Sequence, residues 1–255
     1  MGAAKELYVL HNGFLSLDKS LLTMGHDMGN LMKIPILSYL VKTDEGNLLF
    51  DTGFSPTILA ELAVMTIEVG AEISEEDSIV NRLGEIGLQP QDVHKVILSH
   101  LHIDHVGGLQ YFPHAEVIVQ KDEYAYAFYP HSFSQQAYVK PDFDFPDFNW
   151  KLLDGDQIIL PGVAAILTNG HTPGHQSLLV ELPQSGTIVL AGDSCDLMEN
   201  IEEEVIPGIV WDSTLALYSI KRLKTLAEIT GGKVFPNHDL QFWQEKMVKA
   251  PRSYP

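Results

Sequence analysis

The sequence places three histidines and an aspartate within six residues, in the segment HLHIDH over residues 100–105. An apolar run precedes this segment, so it follows a predicted strand. Residues two apart on an extended chain face the same side, and His100 and His102 can therefore point to one site. If the chain then turns, Asp104 and His105 can reach a neighbouring position. Neutral imidazole and carboxylate groups are good ligands for zinc and similar divalent ions, so the segment predicts a metal site.

Chance is a poor explanation for this cluster. In a chain of 255 residues with 11 histidines, such a pattern arises by accident in roughly one sequence per thousand. The pair Gly107-Gly108 that follows permits close backbone packing around a site of this kind. The isolated histidines are interpreted instead as surface or core residues: His11, His26, His94, His114 and His131.

Three later segments supply further candidate ligands, each at the end of a strand-like run. His171 follows "VAAILTN", Asp193 ends "TIVLAGD", and His238 follows "KVFPN". Strand ends are where sites usually lie in layered α/β folds. A carboxylate such as Asp193 can bridge two cations through its two oxygens, so these candidates are enough for two metal ions.

Strand-like runs that would position these residues occur in both halves of the chain. In the first half they are "LYVLH", "IPILSYLVK", "NLLFD", "KVILSH" and "EVIVQ", and in the second "VAAILTN", "QSLLVEL", "TIVLAGD" and "KVFPN". The segment "TDEGN" is a hairpin turn signal between two of them. Helical patterns lie between the strands: one opens at Ser55-Pro56, one covers 78–87, one starts near Lys121, and the clearest covers 212–230 before Gly231-Gly232.

The alternation of strands and helices predicts an α/β fold in which two sheets pack together with helices outside. We expect a single domain over residues 1–255, made of two similar halves. The segment 129–150 has poor periodicity, three prolines and many aromatic residues. It is interpreted as a long surface loop or insertion, of the kind that often covers a functional site.

Composition and charge narrow the classes of partner. The formal net charge of −18 disfavours nucleic acid, because an acidic surface repels phosphate backbones. The longest stretch without Asp, Glu, Lys or Arg, residues 157–180, contains prolines and histidines and is not a membrane span. The single cysteine, Cys195, excludes an internal disulfide. With no secretory start, the sequence predicts a cytoplasmic protein without a membrane partner.

The ordered set of HxHxDH, "HTPGH", "GD" and a late histidine resembles the metallo-β-lactamase superfamily, and "FDTG" over residues 50–53 also appears there. The detail resembles the N-acyl homoserine lactonases, which share text like "EEDSIVNRLGEIGLQPQD", "SHLHIDHVGG", "HTPGHQSL", "SIKRLK" and "NHD" in the same order. The resemblance covers almost the whole chain and implies an αββα sandwich.

The resemblance also implies the roles of the candidate residues. The first of two divalent ions would be held by His100, His102 and His171. The second would be held by Asp104, His105 and His238, with Asp193 bridging and Asp51 orienting a ligand imidazole. Zinc is the favoured ion, while cobalt, manganese and iron also fit such ligands.

The implied reaction opens the lactone ring of N-acyl homoserine lactones. A water shared by two such ions loses its proton near neutral pH and can attack the ester carbonyl. Asp104 would be the catalytic residue that takes this proton and passes it to the leaving oxygen. The substrate is a small lactone, and the resemblance allows a homodimer.

Two positions depart from the lactonase pattern. Asp196 stands where the family usually has a tyrosine that assists at the substrate carbonyl. An ionised carboxylate cannot donate a hydrogen bond. Another donor, such as Ser194 or a distant tyrosine, would therefore be needed, or the metal ions would act alone. Ile103 stands where an aromatic residue is common. The Leu- and Met-rich stretch 14–32 is equally consistent with plain core and with a groove in which Leu21, Leu22 or Met24 joins Ile103 around an acyl chain.

The sequence is also compatible with other functions of the same fold. A lactonase for a different small lactone is the nearest rival, followed by a thiolesterase, although no clear set of basic residues for glutathione carboxylates is visible. An aspartate at 193 instead of cysteine argues against a β-lactamase, and the acidic charge argues against a nuclease. A flavodiiron-type oxidase would need an acid within the cluster and a flavin domain. A non-enzymatic metal-binding protein would be expected to lack a ligand, and all seven positions carry one.

Overall fold

The computed structural model describes residues 4–55 and 70–255 of the chain. Its strands within these residues form two sheets. The first sheet contains β1 Ala4–Asp18, β2 Leu31–Thr43, β3 Gly46–Phe50, β4 Gly70–Glu72, β5 Val93–Ile97, β6 Glu116–Gln120 and β7 Asn149–Leu153, in the order β4-β1-β2-β3-β5-β6-β7. The second contains β8 Gln157–Leu160, β9 Val163–Leu167, β10 Gln176–Leu182, β11 Gly186–Leu190 and β12 Lys233–Phe235, in the order β12-β11-β10-β9-β8.

The helices of the described residues lie between and after these strands. They are α1 Ile79–Glu85, α2 Ile103–Val106, α3 Lys121–Phe128, α4 Met198–Glu203, α5 Ser213–Thr230 and α6 Leu240–Glu245. The helix α5 begins where the Asp212 carboxylate caps two backbone N–H groups and ends at Gly231 in the left-handed conformation, as the pattern over 212–230 predicts. The helix predicted from Ser55-Pro56 lies, beyond Ser55, outside the described residues. Across the part of the chain described, no helix is long and apolar enough to cross a membrane.

Alternation along the strands divides the apolar residues among three layers. On β1 and β2, Leu7 and Tyr39 face the core between the two sheets, whereas Leu10 and Leu40 face the opposite side. That opposite side packs against α1 and the loops around it. The outer side of the second sheet is covered by α5 through residues such as Ile220. Helices therefore cover both outer faces, which confirms the predicted αββα sandwich.

Several strands differ from the predictions in their length or were not predicted at all. β1 runs to Asp18, past a β-bulge between His11 and Phe14, although the sequence suggested a strand only over "LYVLH". The edge strands β7 and β8 were not predicted, because the exposed side chains of β8 break the apolar pattern. The segment 129–150 is irregular over most of its length, but it ends in β7 and buries Tyr138 and Phe143.

Candidate metal centre

Five strand ends bring the candidate ligands together. Asp51 follows β3, the cluster 100–105 follows β5, and Asp193 follows β11. His171 and His238 follow β9 and β12 in the same way. The strands β3 and β5 are parallel neighbours in one sheet, as are β11 and β12 in the other, so their carboxyl ends open at one edge of each sheet.

The first group of donor atoms consists of His100 Nε2, His102 Nδ1 and His171 Nε2. His171 Nε2 lies 3.1 Å from His102 Nδ1. Asp193 Oδ2 completes the group, at 3.7 Å from His100 Nε2 and 3.5 Å from His171 Nε2. All three imidazoles are buried.

The second group consists of Asp104 Oδ2, His105 Nε2 and His238 Nε2. Asp104 Oδ2 lies 3.5 Å from His105 Nε2 and 4.0 Å from His238 Nε2. Asp193 Oδ1 lies 3.3 Å from His105 Nε2 and 3.1 Å from His238 Nε2. The two oxygens of Asp193 thus face different groups, which is the arrangement a bridging carboxylate requires.

These distances fit two divalent cations. Donor atoms about 2.0–2.1 Å from one tetrahedral ion lie about 3.3 Å from one another. The buried Nε2 atoms of His100 and His105 have no hydrogen-bond partner among the residues that the structure describes. Buried polar atoms are normally paired, so ring nitrogens left in this state indicate a site for a ligand other than protein.

Backbone carbonyls set the orientation of two imidazoles. His171 donates its Nδ1 hydrogen to the carbonyl of Ile209 at 2.8 Å, and His238 donates to the carbonyl of Pro35 at 3.0 Å. Since Nδ1 is engaged with a carbonyl in both rings, Nε2 is the ring nitrogen that faces the centre and can bind a metal.

Asp51 supports one histidine of each group. The residue is fully buried and has a φ of +59°, which is rare outside glycine and is typical of functional turns. Its carboxylate accepts hydrogen bonds from His105 Nδ1 at 2.8 Å and from the Ser99 backbone N–H at 2.7 Å. The Ser99 hydroxyl also donates to Asp51 at 2.7 Å and accepts from His100 Nδ1 at 2.9 Å.

The glycine pair after the cluster packs directly against the loop that carries Asp51. A Cβ atom on Gly107 would lie 2.0 Å from the backbone nitrogen of Ser55, and one on Gly108 would lie 2.5 Å from the carbonyl oxygen of Thr52. Only glycine therefore allows the one-turn helix α2 to close against this loop.

Two buried residues that the sequence did not single out also hold the ligand loops. The Glu123 carboxylate accepts the backbone N–H groups of Leu101, at 3.0 Å, and Gly174, at 3.3 Å. It thereby joins the loop of His100 and His102 to the loop of His171. The other is His175, whose Nε2 accepts the backbone N–H of Asp193 at 2.9 Å. Burial lowers the pKa of His175 to about 3, which keeps its ring neutral for this contact.

Sequence carried only a partial signal for these two residues. His175 stands in the quoted motif "HTPGH", where its spacing from His171 marks it as unusual. Glu123 stands in "KDEY", a pattern that is typical of the solvent-exposed first turn of a helix. Its burial depends on a contact with Gly174, 51 residues away.

The centre opens into a pocket of about 460 Å³. Its lining includes a cluster of aliphatic residues: Leu15, Leu17, Leu21, Leu22, Ile34 and Ile103. The lining also includes four aromatic residues, two of them from the segment 129–150: Tyr126, Phe133, Tyr138 and Trp211. Asp196 also lines the pocket, whereas Met24 lies outside the lining and is 42% exposed, because the turn after β1 directs it to solvent.

Charge separates the two groups of donors. Burial lowers the pKa values of His100, His102 and His171, so these imidazoles are neutral near pH 7. Burial also opposes protonation of His105 and His238, but the nearby carboxylates, Asp193 foremost, outweigh it. They raise the pKa of His105 well above its usual range and that of His238 to about 9.

Comparison with known proteins agrees with this geometry. The family model of the metallo-beta-lactamase superfamily matches residues 33–238. An N-acyl homoserine lactonase of Bacillus cereus is 38% identical over 98% of both chains, and the lactonase AttM of Azorhizobium caulinodans is 33% identical over 98% of both.

Solved structures give the same result in three dimensions. A Bacillus thuringiensis AiiA variant with N-decanoyl-L-homoserine bound at its active site has a TM-score of 0.90 at 35% identity, over 99% of this chain and 100% of the other. An N-acyl homoserine lactone hydrolase with its product N-hexanoyl-L-homoserine at the catalytic metal centre matches with the same score, identity and coverage. The chain therefore belongs to the metallo-β-lactamase superfamily and, within it, to the family of N-acyl homoserine lactonases.

Proposed function

We propose that this protein is a metal-dependent hydrolase that opens the lactone ring of N-acyl homoserine lactones. The observation that carries the proposal is the position of Asp193, whose two oxygens face two separate groups of donor atoms at the edge of one apolar pocket. The full-length relatives that share this fold include proteins named for that activity.

In this proposal each group holds one divalent ion. His100, His102 and His171 would hold the first, Asp104, His105 and His238 would hold the second, and Asp193 would contribute one oxygen to each. When bound, the two ions supply an activated water near neutral pH and a Lewis acid for the ester carbonyl. Asp51 fixes the imidazole of His105 through the 2.8 Å hydrogen bond to Nδ1.

Asp104 is the residue suited to move the proton. It lines the pocket, and its Oδ2 atom faces the donor atoms of His105 and His238. Its carboxylate has a second oxygen, which accepts the proton released by the attacking water. The same oxygen then donates that proton to the alkoxide that leaves when the ring opens.

Two candidate donors for the substrate carbonyl are already engaged. The Ser194 hydroxyl donates to the carbonyl of Thr168 at 3.0 Å, and the Tyr138 hydroxyl donates to Glu123 at 3.1 Å. Neither group is free to replace the family's tyrosine, so a bound metal ion would have to supply the polarisation of the carbonyl.

The lining of the pocket suits a neutral amphipathic substrate. Leu15, Leu21 and Ile103 offer apolar contact to an acyl chain. No lysine or arginine is among the described residues that line the pocket, which disfavours a glutathione conjugate or a phosphodiester.

Zinc is the proposed metal, because imidazole nitrogen and carboxylate oxygen are its usual ligands alongside thiolate. Cobalt, manganese and iron fit the same donors. Homodimer formation and the lack of nucleic-acid or membrane partners also stay proposals. Sedimentation of the purified protein tests the first of these.

A panel of substrates tests the reaction. The purified protein, with its metal content measured, is assayed against an N-acyl homoserine lactone, a simple γ-lactone, a β-lactam, an S-acylglutathione and a phosphodiester. Ring opening yields a carboxylic acid, so a pH indicator follows it. We expect the highest kcat/KM for the acyl homoserine lactone. Preference for the γ-lactone would shift the function to the rival lactonase, and preference for the thioester or phosphodiester would refute the proposal.

A further inference from the structure

Asp196 lies beside the second group of donors, in a position that the backbone holds tightly. Its carbonyl accepts the His238 backbone N–H at 2.9 Å, and the carbonyl of Cys195 accepts that of Asn237 at 3.1 Å. These two bonds tie the segment after β11 to the segment after β12. A carboxylate oxygen of Asp196 and the donor atoms of Asp193 and His238 all lie within 4.8 Å of one another.

The Asp196 side chain is buried beside another carboxylate, and burial together with the charge of Asp193 raises the pKa of Asp196 well above its usual range. Asp196 is 4% exposed, and no hydrogen bond from the described residues reaches its side-chain oxygens. The side-chain amide of Asn237, the residue before His238, donates from Nδ2 to Asp193 Oδ1 at 3.1 Å. Buried carboxylates are generally paired with a cation or bound to a metal, because an isolated one is costly to remove from water.

We infer that Asp196 is an additional ligand of the second metal ion, an inference that rests on the dinuclear centre proposed above. The second ion then has three carboxylates, from Asp104, Asp193 and Asp196, and two imidazoles. The first ion keeps three imidazoles and a single carboxylate. The substitution of the family's tyrosine thus removes a hydrogen-bond donor from the pocket and adds a charged oxygen to one metal.

This difference predicts unequal metal preference at the two positions. Oxygen-rich sites suit manganese and other harder ions, whereas imidazole-rich sites suit zinc. A fifth donor also favours a higher coordination number at the second position. We therefore expect the second ion to exchange for manganese or cobalt more readily than the first.

Metal titration of Asp196→Asn tests the inference without relying on activity. The variant has almost the same shape and lacks the charge. Metal-free protein is titrated with cobalt or zinc against a competing chelator, and the cobalt absorption spectrum is recorded at one and two equivalents. We expect the second equivalent to bind about 10- to 100-fold more weakly than in the wild type, with the first unchanged. The cobalt absorption at the second position should intensify as its coordination number falls.

Two further variants complete the experiment. Asp147→Asn removes the same charge at an exposed site and should match the wild type. Asp196→Ser replaces the first variant if Asp196→Asn fails to fold. Equal affinity for the second equivalent in wild type and variant would overturn the inference, even if turnover fell. A wild-type chain that binds one equivalent would overturn the dinuclear centre and this inference together, whereas failure of the lactone panel alone would leave it standing.

Discussion

The two groups of donors are built on opposite principles, although they share Asp193. The first group is made of imidazoles that are neutral near pH 7, and the Glu123 carboxylate and the carbonyl of Ile209 hold its loops and one of its rings in place. The second combines Asp104 with two imidazoles whose pKa values the surrounding carboxylates raise. Before metal binds, protons on His105 and His238 balance the carboxylates of the second group.

The comparison separates two tasks within one centre. The first group is preorganised, because its rings are already neutral and its two loops are tied together. The second group gathers negative charge at the pocket, where a proton must be accepted and released during hydrolysis. Loss of the loop ties should therefore weaken metal binding in the first group, while loss of the proton-accepting Asp104 carboxylate should lower the rate in the second.

The largest effect is expected for Asp104→Asn. The amide keeps the shape of the side chain but cannot accept the proton, so kcat should fall by about 10²- to 10⁴-fold. Elemental analysis should show that the metal content falls far less than the rate. Near-normal turnover at full metal occupancy would remove Asp104 from proton transfer and weaken the contrast between the groups.

A smaller and site-selective effect is expected for Glu123→Gln. An amide cannot accept both the Leu101 and Gly174 N–H groups, so one ligand loop loses its tie. The metal affinity of the first position should fall by about 10- to 100-fold, with the second nearly unchanged. Tyr138→Phe is the matched control, because it removes a third donor to the same carboxylate and keeps both backbone bonds. Equal weakening of both positions would show that Glu123 stabilises the fold in general.

The two positions should also differ in the pH dependence of metal binding. His238 has a pKa raised to about 9, so its ring is protonated at pH 7 in the metal-free protein and must lose that proton to bind metal. Affinity at the second position should thus rise about tenfold per pH unit for each displaced proton, up to about pH 9. The first position should change little above pH 7, because its imidazoles have lowered pKa values. Titration calorimetry in buffers of different ionisation enthalpy measures the proton release, and parallel slopes would contradict the comparison.

The smallest effect concerns the pocket and leaves both metals in place. Leu21→Ala removes an apolar contact from the lining, and it should lower kcat/KM for long acyl chains relative to short ones by roughly tenfold. Met24→Ala should leave that ratio unchanged, since Met24 lies outside the lining. A chain-length effect at Met24 and none at Leu21 would move the acyl site away from this pocket.

Much of the sandwich was predictable because its inner strands carry local patterns. The strands β2, β5 and β11 have clear apolar runs in the sequence. The helix α5 is predicted by the helical spacing of its apolar residues, by the Asp212 cap and by the glycine at its end. The edge strands β7 and β8 escaped prediction because half-exposed edges need no continuous apolar run. The extension of β1 to Asp18 was not predicted, because it lies in the Leu- and Met-rich stretch 14–32, whose pattern is equally consistent with core and with a groove.

The sequence by itself determined the identities of the seven candidate ligands and their places at strand ends, since residue type and strand periodicity are local properties. Only the tertiary structure decided which oxygen of Asp193 faces which group, that Glu123 joins two loops, and that Met24 lies outside the pocket. The pairs involved, such as Asp51 with Ser99 and Glu123 with Gly174, lie 48 and 51 residues apart. Contacts at that separation depend on how the two sheets pack, and no local pattern in the chain encodes them.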